Sequence, residues 1–359
     1  MSRAGRGRRV RWALTAALVL TLAVGAAAVG AARWSAFMAS DVVPGDLPRS
    51  VTVERGASPA SVIRSLTASG MVSDSPLWRW AIRLERTGAC LQRGRHELPG
   101  DATPRELLRA LCGPGMPESV RLTLPEGWTL WELADAAEAL GLGGRGEILA
   151  LAGVGDGVSP EPLRTFAGAL RPTAEALLFA DTYEVPVGER PDTWMPRLRA
   201  RFDEVWSEVA TAARLAALQA RYGVDAWDVL IVASLVEREA KVAEERPRIA
   251  RVFYNRLAAR MPMQSDPTCT YGAATYAKVP TPALCRDPMN PYSTYRIPRL
   301  PPTPIGAVGR SSLLAALEPA DEPGLLYFVA MQDGSGRHAF AKSYDEHRRN
   351  IETYLKRPR

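Results

Sequence analysis

Leu230-Ile231-Val232-Ala233-Ser234-Leu235-Val236-Glu237-Arg238-Glu239 is the stretch on which the fold turns. It is an apolar helical run that abruptly presents carboxylates. Because Ala233, Leu235 and Val236 lead up to it, Glu237 is expected where ionisation is unfavourable. A desolvated glutamate with its pKa pushed toward neutrality is the usual means of passing a proton to and from sugar oxygens.

Outward from that run, capped helices follow one another. Asp225, with Asp228 three residues on, caps the helix, which continues to about Lys241. Upstream, residues 192–222 are helical in pattern, with Trp194, Leu198, Phe202, Val205 and Trp206 on roughly one face, a stripe that reads as core. Downstream, Pro247 opens a helix through Ile249, Val252, Phe253 and Leu257. Residues 261–290 form a long irregular segment with polar and aromatic groups, the kind of ordered loop that carries function. Residues 325–330 and 339–341 flank a glycine-rich turn and read as a hairpin.

Toward the N-terminus the strands are short. Residues 51–54 alternate as a strand, and Ser58-Pro59 opens a helix to about Ala68, stopped by Gly70. Residues 78–86 give another helix and residues 93–98 a strand. Thr103 and Glu106 have capping-box spacing for a helix to Cys112. Residues 121–124 alternate again, residues 125–128 turn, and Thr129 starts a helix toward Leu140. Residues 141–157 are glycine-rich but lack the flanking strand and helix of a dinucleotide loop, so they read as turns.

The formal charge is +6, but Arg3, Arg6, Arg8, Arg9 and Arg11 supply five of those charges, which leaves the body near +1. Nucleic-acid binding gains little support from that balance. Residues 12–32 are 21 consecutive uncharged positions. As a helix they span about 31 Å, enough to cross a bilayer's hydrocarbon core. Arginines precede them and only Arg33 follows closely, so the N-terminus is expected in the cytoplasm and the rest outside. A cleaved leader is the competing reading, but the apolar stretch is long for one and favours an uncleaved anchor. Four cysteines suit an oxidising compartment. Cys90 and Cys112 lie in one segment and Cys269 and Cys285 in one loop, so two local bridges are the natural choice among three connectivities. No CxxC occurs and His96, His338 and His347 are scattered, which argues against a zinc site.

Several blocks stand in order: residues 233–239, then Arg251-Val252-Phe253-Tyr254-Asn255-Arg256-Leu257, then Met263-Gln264-Ser265-Asp266-Pro267-Thr268. Tyr271-Gly272, Pro291-Tyr292-Ser293-Thr294-Tyr295 and Leu300-Pro301-Pro302-Thr303-Pro304-Ile305 continue them. Together they resemble the YceG-like family, the membrane-bound endolytic murein transglycosylases, over residues 50–355. The resemblance implies an α+β protein: a cytoplasmic tail (1–11), a transmembrane helix (12–32), a linker (33–49), a LysM-like β-α-α-β module (50–118) and a mixed α/β catalytic domain (119–359) with a helix-borne glutamate. It implies a single-pass inner-membrane protein facing the cell wall and peptidoglycan glycan strands as substrate. Cleavage would be nonhydrolytic, leaving 1,6-anhydro ends, with no metal or organic cofactor and with a polymerising penicillin-binding protein as partner. Glu237 falls on the position of the family's catalytic glutamate. Ala180, Ala240 and Ser293 depart from the family's usual proline, threonine and asparagine, and bear on substrate positioning.

Each residue also has a plainer reading. Glu237 can pair with Lys241 at i+4. Glu239 lies about 200° around the helix from Glu237, so a structural or supporting role is expected for it. Glu244, Glu245 and Arg246 read as a solvated helix start, while the resemblance implies a place on the cleft rim. Asn255, Gln264, Ser265 and Thr294 are candidate contacts to sugar hydroxyls or N-acetyl groups, or ties for the loop. Asp266 is a turn anchor or a second acid, and Tyr271, Tyr292 and Tyr295 stack on sugar faces or fill the core. A hydrolytic muramidase, which needs a second carboxylate such as Asp266 or Glu245, is one alternative. A non-catalytic wall-binding scaffold is the other.

Overall fold

Ser58, Thr103, Thr129 and Asp225 each stand one residue ahead of a helix and each closes a capping box. The cap's oxygen takes the backbone N–H three residues on, and that residue's side chain returns to the cap's own N–H, an exchange worth about 1 kcal/mol per helix. The computed structural model in which these caps occur describes residues 3–43, 45, 49–54, 56–116, 118–154 and 162–355. The chain divides into two units, Met1–Glu118 and Ser119–Arg359.

The first unit opens on α1 (Arg3–Met38), of which Leu14–Met38 is long and apolar enough to cross a membrane, with a mean hydropathy of 2.1. The anchor was expected to end at residue 32 and give way to a linker; instead the helix continues to Met38. Phe37 meets Trp78 edge to face with centroids 5.2 Å apart, and Val42 and Val43 are buried. Val42 donates its N–H to the Ala102 carbonyl and accepts from Ser73 N–H, both at 2.9 Å. Residues 37–43 therefore belong to the module, because their apolar side chains close its core. Pro44 and Pro48 of the expected linker lie outside the described residues.

Then follow β1 (Arg49–Val53), α2 (Pro59–Ala68), α3 (Trp78–Leu84), the single turn α4 (Thr87–Cys90), β2 (Gly94–Leu98) and α5 (Pro104–Cys112). β1 and β2 pair antiparallel, from Arg49 opposite Leu98 to Val53 opposite Gly94. The ribbon and helices enclose Ile63, Leu66, Leu98, Leu107 and Leu111, and a disulfide joins Cys90 to Cys112.

The second unit runs β3 (Ser119–Thr123), α6 (Leu130–Ala139), α7 (Arg145–Leu151), β4 (Thr165–Phe166), β5 (Ala169–Leu170), β6 (Thr182–Pro186), α8 (Pro191–Val209), α9 (Ala212–Tyr222) and α10 (Ala226–Glu239). It continues with α11 (Arg246–Ala258), α12 (Pro282–Arg286), α13 (Arg310–Leu317), β7 (Tyr327–Ala330), β8 (His338–Ala341) and α14 (Tyr344–Tyr354). Its strands pair two at a time, β3 with β6, β4 with β5 and β7 with β8, all antiparallel. α7 corrects the expectation of turns across residues 141–157: Ile148 and Leu149 bury against the core and hold the segment helical. Gly155 and Gly157, at the end of that segment, lie outside the described residues. The long pattern over residues 192–222 is two helices, because Ala210 leaves helical geometry and Thr211 caps α9.

α10 is the buried axis of this unit. Apart from Asp228, every residue from Trp227 to Val236 is buried, as a helix apolar on all sides requires. α11 and α13 pack against it. Leu230, Ile231 and Leu235 each contribute about 1.5–3 kcal/mol by leaving water. A helix fixed so firmly delivers whatever stands at its C-terminal end to one place.

Candidate functional site

The end of α10 carries two carboxyl groups to two different surroundings. Glu237 turns toward α11 and α13. Its Oε1 accepts from Arg246 Nη2 at 3.2 Å and its Oε2 from the Gly309 N–H at 2.9 Å, the cap of α13. The side chain is 4% exposed. Arg246 in turn donates to Ser312 Oγ (3.1 Å) and lies 4.0 Å from Glu126. Burial raises the Glu126 carboxyl above its usual range, and the charge of Glu237 raises it further. The apolar residues that lead up to Glu237 therefore do not leave it without polar partners. It is one member of a charged network tying three elements together.

Glu239 faces a cavity of about 420 Å³ that Gln264, Asp266, Tyr295 and His338 also line. Its Oε1 accepts from Ser265 Oγ at 2.6 Å, and Oε2 has no hydrogen bond among the described residues. Burial pushes this carboxyl up to about 7. The neighbouring Asp266 charge adds to the rise, while the Ser265 hydroxyl, Arg238 and Arg256 oppose it. A carboxyl raised by burial thus stands at Glu239, two residues beyond Glu237.

The other candidate residues divide in the same way. Gln264 reaches the cavity from a left-handed backbone position (φ 51°). Asp266 Oδ1 accepts from the Tyr295 hydroxyl at 2.5 Å, so these two line the wall as a bonded pair. Five candidates do not line it. Asn255 donates Nδ2 to the carbonyls of Glu322 (3.2 Å) and Leu325 (2.9 Å), which makes it a tie between segments. Ser265 is buried and serves Glu239. Thr294 is buried too, its Oγ1 accepting from Ser265 N–H at 2.9 Å. Tyr271 is core: it meets Trp131 edge to face and donates to Glu175 Oε2 at 2.8 Å. Tyr292 packs on Tyr271 and bonds Thr303. Cys269 is bonded to Cys285, which closes the loop that follows Asp266. Asp266, Cys269 and Cys285 lie close enough together to suggest a metal group, but the disulfide removes both sulfurs as thiolate ligands.

Sequence reading gives no site role to His338 or Arg256, and reads Glu245 only as a helix start, a residue of the cleft rim or a second carboxylate. Glu245 is buried, not solvated, and bonds His338, which lines the cavity; Arg256 lines it as well, with Nε on the Leu326 carbonyl and Nη1 on the Met263 carbonyl. No local pattern marks them, since their partners lie at least six residues away in sequence. A larger cavity, about 650 Å³, lies at the other end of α10 beside Trp227 and Asp228. Burial raises the Asp228 carboxyl as well, but that group is bound to the Asp225 N–H as part of the helix cap. The smaller cavity is the better candidate, because the carboxyl at its wall is pushed up to about 7 by burial and takes no part in a helix cap.

The crystal structure of a yceG-like protein from Listeria monocytogenes has the same fold, with a TM-score of 0.54 and 24% identity over 85% of this chain and 99% of that one. The chain belongs to the YceG-like family, whose sequence model matches residues 51–353. It is similar to proteins named endolytic murein transglycosylase. The one from Bacillus subtilis (strain 168) is 41% identical over 133 residues, 37% of this chain and 36% of the relative. The one from Streptococcus pneumoniae serotype 2 (strain D39) is 24% identical over 329 residues, 85% of this chain. The chain spans 36% and 58% of the lengths of these two relatives.

Proposed function

We propose that the protein is a lytic transglycosylase of peptidoglycan and that Glu239, in place of Glu237, carries its proton. The supporting observation is a buried carboxyl raised to about 7 at the wall of a cavity, beside Gln264, Asp266 and Tyr295. The family and the names of the relatives supply the substrate class. On this reading α1 holds the chain in the inner membrane with the residues that follow it outside, where nascent strands are made. The first unit is a LysM-like holder of glycan, and a polymerising penicillin-binding protein is the natural partner.

The chemistry needs one acid and an internal nucleophile. Near neutral pH a large share of Glu239 is protonated and can give its proton to the leaving glycosidic oxygen. The muramic C6 hydroxyl attacks the anomeric carbon from within the same sugar, an arrangement with high effective molarity. The Glu239 carboxylate is then able to accept the hydroxyl's proton as the anhydro ring closes. Asp266 in the same cavity favours a second reading, hydrolysis with two carboxylates.

Mass spectrometry of digested cell walls tests both. Wild-type protein should leave 1,6-anhydromuramyl ends, whereas free reducing ends would favour hydrolysis through Asp266. Glu239→Gln should lower the rate about a hundredfold or more with the fold intact. Glu237→Gln should stay within about tenfold of wild type when assayed below its unfolding transition, since a retained network partner costs little in rate. The opposite ranking of the two variants sinks the assignment.

A further inference from the structure

The cavity of Glu239 contains a second proton-handling group that this mechanism does not use. Glu245 accepts from the His338 backbone N–H at 3.1 Å and from its Nδ1 at 2.8 Å. Both side chains are 7% exposed. With Glu245 as the acceptor the hydrogen is assigned to Nδ1, which leaves Nε2 as the ring's accepting nitrogen. Nε2 makes no hydrogen bond among the described residues. Phe328 lies edge-on to the ring with centroids 5.3 Å apart, so packing as well as Glu245 fixes its direction. Glu245 stands behind the ring, and Glu239, Arg256, Asp266, Tyr295 and His347 are the titratable and charged groups that share its cavity.

We propose that His338, oriented by Glu245, is a second catalytic residue whose Nε2 takes the proton of the hydroxyl that closes the anhydro ring. The proposal rests on the reading of Glu239 as the acid and replaces its carboxylate as the direct acceptor of that proton. In that step an electron pair on the hydroxyl oxygen forms the new bond to the anomeric carbon. The bond to the leaving sugar breaks with its pair on the leaving oxygen, which takes the Glu239 proton. The hydroxyl's own proton passes to Nε2, and the imidazolium is stabilised by the Glu245 carboxylate behind it, as in other carboxylate–histidine pairs. Transfer of that proton through water to Glu239 restores both groups. Acid and base are then separate side chains.

The test is the pH profile of kcat/KM for wild type, His338→Gln and Glu245→Gln, read with product analysis on peptidoglycan. His338→Gln should lower kcat about a hundredfold or more, with KM within threefold, and should abolish the low-pH limb. Glu245→Gln keeps an acceptor for Nδ1 but removes the charge, so the low-pH limb should move to lower pH. A kcat within threefold of wild type in His338→Gln, or a limb unmoved in both variants, overturns the proposal. If His338→Gln fails to fold by circular dichroism, the limb in Glu245→Gln decides alone. Full activity in Glu239→Gln would instead sink the acid assignment, and the histidine limb would still be read from the other two variants.

Discussion

Two positions along a helix turn Glu237 and Glu239 about 200° apart. What each does depends on what the rest of the chain brings to its side. A run of apolar residues shows that α10 is buried, but not which carboxyl meets Arg246 and which meets Ser265, because those partners are nine and 26 residues away. The block of residues 263–268 was legible as part of the site, and Gln264 and Asp266 do line the cavity, while Ser265 works from behind it. The Ser265 hydroxyl holds the Glu239 carboxyl down, so Ser265→Ala should raise that pKa further and carry the high-pH limb of the rate upward. An unmoved limb in a pH–rate series would contradict the role given to Glu239. Glu237→Gln should act on stability instead. Breaking a buried pair from one side costs up to about 3–5 kcal/mol, and the nearby Glu126 offsets part of that, so a loss of about 2 kcal/mol is expected in urea titration.

Among the elements, the helix starts were the most legible. Ser58, Thr103, Thr129 and Asp225 declared themselves because a capping box lies within four residues of sequence. α7 was hidden because glycines suggest turns and its core contacts are distant. The approach to α13 was equally silent, and it is tight. A Cβ on Gly306 would lie 2.7 Å from the Gly127 carbonyl oxygen, a backbone atom that no side-chain rotation can move away. Gly306→Ala should cost about 1–3 kcal/mol, seen as a lower urea midpoint with an unchanged slope. Wild-type stability in that variant would mean that the turn at Gly127 is looser than described.

For the second unit as a whole, acidity and folding are coupled. Glu175 is buried, accepts from Leu130 N–H and the Tyr271 hydroxyl, and is pushed up to about 8 by burial. Glu239 is pushed to about 7. Both bind protons more tightly folded than unfolded, where the value is near 4.5. Their stabilising contribution is therefore complete below about pH 4.5 and is lost as the pH rises through 7 and then 8. Unfolding free energy should fall by about a few kcal/mol across that window, and Glu175→Gln should flatten the fall. A urea series at pH 5, 6, 7 and 8 checks it, and a level response would contradict the burial of these acids.

The unbroken passage of α1 into the first unit has a mechanical meaning. Phe37, Val42 and Val43 plug the helix end into the core beneath Trp78 and Ala102, so no swivel separates them. For a chain held in a bilayer by α1, the stand-off of that unit from the headgroups is set as if by a ruler, about 1.5 Å for every residue of helix above the surface. If that unit holds glycan as proposed, a strand must come within that fixed height, since the holder cannot lean out to find it.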